Sequence, residues 1–214
     1  CGHTLGAPDL VPVFSWLFLR GRCRHCGARI PVRYFLVEVL GGMLALGCTR
    51  RFGTALSLTQ GLFGMSWAAL TALAVCGILL SVALIDAETQ LIPDRLNLAL
   101  AVCGVLGTLL SPAGWLPHLL GAFCVSVPML LLCLVIDGAF GGGDIKLMAA
   151  AGLFLGWQNT LLAMFLGILG GGLYGIWLLA AKRADKKDHF AFGPFLCAGV
   201  VIAMLFGEPI LQWY

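Results

Sequence analysis

Two aspartates stand where an otherwise apolar chain could carry out acid–base chemistry. Asp86 ends the apolar run 79–85, and Asp144 follows the glycines 141–143 and opens a second apolar, helix-like run. Ionisable groups within a membrane are unfavourable, and are functional candidates by default. When two carboxylates lie close together, one holds a proton while the other is ionised. An aspartic protease needs that asymmetry, because one group activates water and the other protonates the substrate carbonyl.

The residues beside the two aspartates predict how they would be supported. Gly141 and Gly143 carry no side chains, so they allow a sharp turn and the close approach of a neighbouring helix or a substrate strand. Asp144 would then lie near a helix N-terminus, where the macrodipole favours the ionised form. We interpret Asp94 as a helix N-cap or supporting residue, and Lys146 as a group that contacts lipid headgroups or tunes the pair.

The same acids admit other interpretations. Asp144 as an N-cap and Asp86 as a helix-end residue facing water would need no catalytic role. Asp137, close to the glycines, is the chief competitor for a catalytic role. An ion- or proton-coupled transporter could use all three acids, but transporters place such groups nearer the midplane and often contain inverted repeats. A non-enzymatic zinc-bearing assembly protein would leave the paired acids unexplained.

The cysteines divide into a metal-like group and a scattered group. Cys23 and Cys26 form a C-x2-C knuckle that can hold one metal ion, and Cys1 is a natural third ligand for structural zinc. His3 or His25 could substitute, although a histidine in such a loop is more often solvated. A reducing compartment keeps thiols available for metal rather than for disulfides. The other six cysteines are expected to be small buried residues: Cys48, Cys76, Cys103, Cys124, Cys133 and Cys197.

The elements that must hold these residues are membrane helices. Sixty per cent of the residues are hydrophobic and 11% are charged, whereas a soluble domain carries about 25% charged residues. The apolar runs are continuous and lack the alternation of a β-barrel. We predict an all-α polytopic membrane protein with about seven transmembrane or membrane-embedded helices. The helices are expected near 35–49, 61–85, 95–111, 116–136, 144–156, 159–181 and 190–213.

The basic residues predict an orientation. Eleven of them lie in segments 1–33, 86–95, 137–146 and 182–189, which seven helices place on one side, and the other two are Arg50 and Arg51. This positive-inside bias predicts that the crowded side is cytoplasmic. The net charge of +3 then reflects topology and contact with membrane lipids rather than nucleic-acid binding.

Four segments resemble motifs of the type IV prepilin peptidases. Residues 86–94, DAETQLIPD, resemble the family's D-x6-P-D signature, and 141–147, GGGDIKL, resemble its G-x-G-D-x-K-L signature. The cysteine segment 23–38 and the FGPF element at 192–195 are similar to further family elements. The resemblance therefore covers nearly the whole chain.

The resemblance implies a GxGD-type intramembrane aspartic protease whose catalytic aspartates are Asp86 and Asp144. It implies cleavage of the leader of type IV prepilins or pseudopilins at the cytoplasmic face of the bacterial inner membrane. In many members it also implies N-methylation of the new terminus with S-adenosylmethionine. The family's second cysteine pair would place a fourth zinc ligand before Cys1. Residues 1–33 are thus expected to form a cytoplasmic cysteine-loop module, and 34–214 a transmembrane peptidase domain.

Overall fold

The computed structural model describes residues 2–4, 6–53, 67–111, 114–136, 138–181 and 191–213, and in this part the regular secondary structure is helical. A 3-10 turn at Ala7–Leu10 is followed by helices that we number in chain order. They are α1 (Phe14–Phe18), α2 (Val32–Phe52), α3 (Trp67–Thr89), α4 (Asp94–Leu110), α5 (Leu116–Cys124), α6 (Ser126–Val135), α7 (Gly142–Leu155), α8 (Trp157–Ala180) and α9 (Gly193–Trp213). The all-α prediction is confirmed.

The described helices account for each of the seven predicted segments. Five segments are long and apolar enough to cross a membrane: Val32–Phe52, Ala68–Thr89, Leu116–Val135, Trp157–Ala180 and Gly193–Trp213. Helices satisfy all their backbone hydrogen bonds internally, which is what a spanning segment needs in lipid. The remaining two, α4 and α7, have 17 and 14 residues, and α7 packs between other helices with Leu147 and Met148 fully buried.

The segment predicted at 116–136 consists of two helices, because a proline interrupts it. Pro128 has no N–H with which to bond the carbonyl of Cys124, and its ring crowds that carbonyl. Helix α5 ends at Cys124 and α6 begins at Ser126. The Ser126 hydroxyl donates a hydrogen bond to the carbonyl of Ala122 across the break. The two helices still form one apolar span.

Helices α5 and α7 meet backbone against backbone. A Cβ atom on Gly152 would lie 2.1 Å from the carbonyl oxygen of Gly121, and a Cβ on Gly121 would lie 2.4 Å from that of Gly152. In apolar surroundings such close contact supplies the dispersion attraction that holds membrane helices together. This crossing fixes α7, the helix that carries Asp144.

The N-terminal segment packs on the first turns of α2. Oε2 of Glu38 accepts a hydrogen bond of 2.7 Å from the backbone N–H of Val13. The rings of Trp16 and Phe35 have centroids 4.8 Å apart. At the same end of the bundle, Arg33 of α2 pairs with Glu88 of α3. A domain boundary at residue 33 stays a prediction.

Candidate active site

Asp86 lies near the end of α3 and is buried, with 5% of its surface exposed. Its Oδ2 accepts a hydrogen bond of 3.0 Å from the backbone N–H of Gly193, the first residue of α9. A helix N-terminus presents unpaired N–H groups and a positive dipole end. The fold therefore gives Asp86 a fixed hydrogen-bond donor from the start of α9.

Gly193 is required at this position for a steric reason. A Cβ atom there would lie 2.6 Å from Oδ2 of Asp86 and 2.9 Å from its Cγ. No side chain fits without displacing the carboxylate, so glycine lets the backbone itself serve as the donor. The FGPF motif at 192–195 does not by itself predict this contact.

Asp144 is the third residue of α7, and Gly141 is the N-cap of that helix. The position near a helix N-terminus is confirmed, and the alternative of Asp144 as an N-cap is wrong. A Cβ atom on Gly141 would lie 3.2 Å from Oδ2 of Asp144. Burial, together with the nearby negative charge of Asp86, raises the pKa of Asp144 to about 6, against an opposing hydrogen bond from the Gly141 backbone.

The two aspartates interact although they come from different helices. Burial and the charge of Asp86 together raise the pKa of Asp144, and the buried thiol of Cys197 lies one turn into α9. The rings of Phe140 and Phe192, which precede α7 and α9, have centroids 6.0 Å apart. The sequence-predicted pair thus lies where α3, α7 and α9 meet, with Asp86 buried and Asp144 partly buried.

Asn97 of α4 binds the glycine turn before Asp144, and the sequence motifs did not identify it as a site residue. Asn97 is 5% exposed, and its Nδ2 donates a hydrogen bond of 3.3 Å to the carbonyl of Gly143. Its Oδ1 is buried without a hydrogen-bond partner. A Cβ atom on Gly143 would lie 2.9 Å from the Cβ of Ile92. The available signal was a polar residue on the apolar helix α4, three positions after Asp94.

Asp94 and Lys146 join the two motifs at the surface. Nζ of Lys146 lies 2.7 Å from Oδ1 of Asp94, and both side chains are exposed. Pro93 is the N-cap of α4, so the interpretation of Asp94 as an N-cap is wrong. The alternative supporting role agrees with this ion pair. Contact of Lys146 with headgroups stays a prediction, and the competitor Asp137 lies outside the described residues.

The C-x2-C segment forms a turn whose backbone N–H groups can stabilise a thiolate. Cys23 N–H donates to the carbonyl of Ala28, and Gly27 N–H donates to that of Cys23, at 2.8 and 3.0 Å. Backbone hydrogen bonds from Cys26 and His25 lower the pKa of Cys23. Such N–H donors stabilise a metal-bound thiolate, so Cys23 and Cys26 fit a metal such as zinc.

The described residues contain no further ligand placed beside Cys23 and Cys26. Cys1 lies outside the described residues, and within them no group of three or more His, Cys, Asp or Glu side chains is arranged to hold a metal ion. The imidazole rings of His3 and His25 have centroids 3.7 Å apart. The two histidines therefore contact each other.

Comparison with known proteins gives matches along the whole chain. The type IV leader peptidase family matches residues 73–176, and the bacterial peptidase A24 N-terminal domain matches residues 1–52. No solved structure matches the chain.

Proteins that share one name match the chain across several genera. The prepilin leader peptidase/N-methyltransferase of Aeromonas salmonicida (strain A449) is 35% identical over 222 residues, covering 100% of this chain and 72% of the relative. The protein of that name from Burkholderia pseudomallei (strain K96243) is 36% identical, covering 98% of this chain and 66% of the relative. That from Bacillus subtilis (strain 168) is 32% identical, covering 100% and 82%.

Proposed function

The chain belongs to the type IV leader peptidase family, and from this premise we propose that it cleaves prepilin or pseudopilin leaders with Asp86 and Asp144 as its catalytic pair. The predicted family resemblance and the predicted enzyme class, a peptidase, are confirmed. The transporter alternative is not supported by these matches.

One observation carries the catalytic assignment. The two carboxylates come from motifs far apart in the chain, yet each lies against a glycine close behind one of two contacting phenylalanines. Asp86 accepts a hydrogen bond from Gly193, and Asp144 lies against Gly141. The rings of Phe192 and Phe140 are in contact. Close carboxylates of this kind share a proton, and perturbed pairs in buried sites are typical of acid–base catalysis.

The surroundings suggest which aspartate holds the shared proton. Both carboxyl groups are removed from water, so the assignment rests on hydrogen bonding: the N–H of Gly193 at the start of α9 donates to Oδ2 of Asp86, which makes Asp86 the hydrogen-bond acceptor of the pair and leaves the proton to Asp144. Asp86 is then the base that accepts a proton from the attacking water. Asp144 is the acid that donates its proton to the carbonyl oxygen of the scissile peptide.

The remaining steps return the pair to its starting state. Water oxygen bonds to the carbonyl carbon to give a tetrahedral diol. Transfer of the proton from Asp86 to the leaving nitrogen allows the carbon–nitrogen bond to break, and the diol returns a proton to Asp144. Gly141 and Gly143 let the turn before Asp144 pack closely, because a Cβ atom on them would crowd Oδ2 of Asp144 and the Cβ of Ile92 respectively. Asp94 and Lys146 form an exposed ion pair between the two motifs.

The test is processing of a purified prepilin in detergent or membranes. Asp86→Asn and Asp144→Asn each keep the side-chain shape but cannot exchange the proton, so each should abolish cleavage. Because the two act as a unit, the double variant should be no worse than either single one. Asp94→Asn and Asp137→Asn are the matched controls and should retain cleavage. Efficient processing by a folded Asp144→Asn protein would refute the assignment.

The described spans make this a membrane protein, and we propose that it lies in the bacterial inner membrane with the aspartates on the cytoplasmic side. The positive-inside bias supports this orientation. An impermeant thiol reagent added to cells should then label a cysteine at Trp115 but not at Leu91. Trp115 is 66% exposed and Leu91 is 71% exposed. Leu91 precedes α4 and Trp115 follows it, so the two lie beyond opposite ends of this helix. Labelling at Leu91 alone would reverse the orientation.

Two cofactors belong to the proposal. Zinc would be held by Cys23, Cys26 and Cys1 with a further ligand, and it would stabilise the N-terminal segment rather than take part in peptide cleavage. S-adenosylmethionine would supply the methyl group if the chain shares the second activity in its relatives' names. No step proposed above uses it.

A further inference from the structure

Two adjacent arginines stand apart from the basic residues that favour the proposed cytoplasmic side. Arg50 and Arg51 occupy the last turn of α2, whereas Arg33 in its first turn contacts α3 near Asp86. At 1.5 Å per residue the arginines lie about 26 Å along the helix from Arg33. They are therefore at the end of the bundle away from the candidate active site.

One of the two charges is already compensated within the protein. Arg51 forms an ion pair with Glu208 of α9. Arg50 is exposed and has no ion-pair partner in the part of the chain that the structure describes. The cluster of two arginines and one glutamate therefore keeps one net positive charge.

An apolar groove begins at this charge and follows the line between α2 and α9. It has a volume of about 460 Å³ and is lined, besides the two arginines, by Met43, Leu46, Gly47, Leu205 and Phe206. Gly47 allows the helices to approach, because a Cβ atom there would lie 3.2 Å from Cδ1 of Leu205. Met43 lies seven residues before Arg50, which is about 10 Å along the helix.

We propose that this groove binds one anionic phospholipid, with its phosphate on Arg50 and an acyl chain along Met43, Leu46 and Phe206. These three apolar side chains are 52–58% exposed, so lipid rather than water must cover them in a membrane. Arginine binds phosphate through paired, charge-assisted hydrogen bonds. The end of a spanning helix is at the depth of the headgroups.

The charge decides between lipid classes. A zwitterionic headgroup would bring a second cation close to Arg50, while an anionic one neutralises the remaining positive charge. An apolar surface of the substrate or of a second copy could fill the groove but would leave Arg50 without a counter-charge. The complementarity therefore favours an anionic lipid.

The experiment measures lipids retained by the purified full chain in detergent, by native mass spectrometry. Phosphatidylglycerol is compared with phosphatidylcholine of the same acyl chains and with glycerol 3-phosphate alone. The protein should retain one phosphatidylglycerol at concentrations where the other two probes do not bind. Equal retention of phosphatidylcholine, or equal binding of glycerol 3-phosphate, would overturn the proposal, as would release of phosphatidylglycerol by added prepilin or by dimerisation.

Variants locate the bound lipid. Arg50→Gln should weaken phosphatidylglycerol retention about tenfold, the effect of losing one charge-assisted contact. Arg29→Gln, which removes an exposed arginine from the N-terminal segment, is the matched control and should leave retention unchanged. Prepilin cleavage by Arg50→Gln should be unaltered, which shows that the variant is folded. Unchanged retention by this active variant would exclude Arg50 as the phosphate ligand.

Discussion

The backbone N–H of Gly193 donates a hydrogen bond to Oδ2 of Asp86 across a sequence separation of 107 residues. A main-chain donor cannot be removed by mutation, but it can be displaced, because a Cβ atom at Gly193 would lie 2.6 Å from that oxygen. We expect Gly193→Ala to lower kcat for prepilin cleavage about 100-fold, the effect of misplacing a catalytic group by about 1 Å.

A matched glycine separates this effect from a general loss of helix packing. In α8, a Cβ atom on Gly172 would meet nothing within 4 Å, so Gly172→Ala should leave cleavage unchanged. Equal activity of the two alanine variants would mean that Asp86 does not depend on the geometry at Gly193.

The pKa of Asp144 predicts a pH-dependent stability. Burial and the charge of Asp86 raise this pKa from 3.8 to about 6, so between these values the folded protein binds a proton that the unfolded chain has released. The unfolding free energy should therefore fall as pH rises through this window. Asp144→Asn cannot ionise, and its Tm relative to the wild type should increase between pH 4 and pH 7.

Thermal unfolding in detergent at several pH values measures that difference. Asp94→Asn removes an exposed carboxylate from the neighbouring helix and controls for loss of a surface charge. A Tm difference between wild type and Asp144→Asn that stays constant with pH would contradict the raised pKa.

Asn97 should matter more for rate than for stability. Asn97→Leu removes the hydrogen bond to the Gly143 carbonyl, but it also removes a buried Oδ1 that has no partner. The two effects have opposite signs and similar size, about 1–3 kcal/mol each, so we expect the free energy of unfolding to change little. Cleavage should still fall, in kcat more than in KM, because the turn that carries Asp144 loses its tether.

The exposed ion pair beside Asn97 gives the comparison. Lys146→Met breaks the contact with Asp94, yet exposed ion pairs contribute only about 0–1 kcal/mol. Its cleavage rate should stay close to that of the wild type. A larger loss of kcat in Lys146→Met than in Asn97→Leu would assign the positioning role to the surface pair instead.

Zinc should be present at about one ion per chain in the purified protein, as a four-ligand structural site requires. Cys26→Ser should lower the zinc content, measured by elemental analysis, and make the N-terminal segment more sensitive to protease. Cys103→Ser removes a cysteine of α4 far from the knuckle and should change neither quantity. Full zinc occupancy in Cys26→Ser would remove that thiol from the ligand set.

The helices could be predicted because lipid allows few alternatives for long apolar runs, and prolines and glycines marked most of their ends. The Asp86 and Asp144 motifs were recognisable because their acids interrupt such runs. The break at Cys124 was missed, since Pro128 lies inside a continuous apolar stretch and acts on a carbonyl four residues earlier. The contact of Asp86 with Gly193 depends on how α3 meets α9 in space, which no local pattern encodes.

The meeting of Gly121 with Gly152 has a mechanical consequence for the peptidase. Gly152 lies eight residues after Asp144 on the same helix, about 12 Å away. No side chain lies between α5 and α7 at this crossing, so the two backbones cannot adjust to each other by a change of rotamer. The crossing therefore sets the orientation of α7 and the position of the carboxylate near its other end. A methyl group added at Gly152 must tilt the whole of α7. Inactivating changes can therefore arise two helical turns from the carboxylate that acts on the substrate.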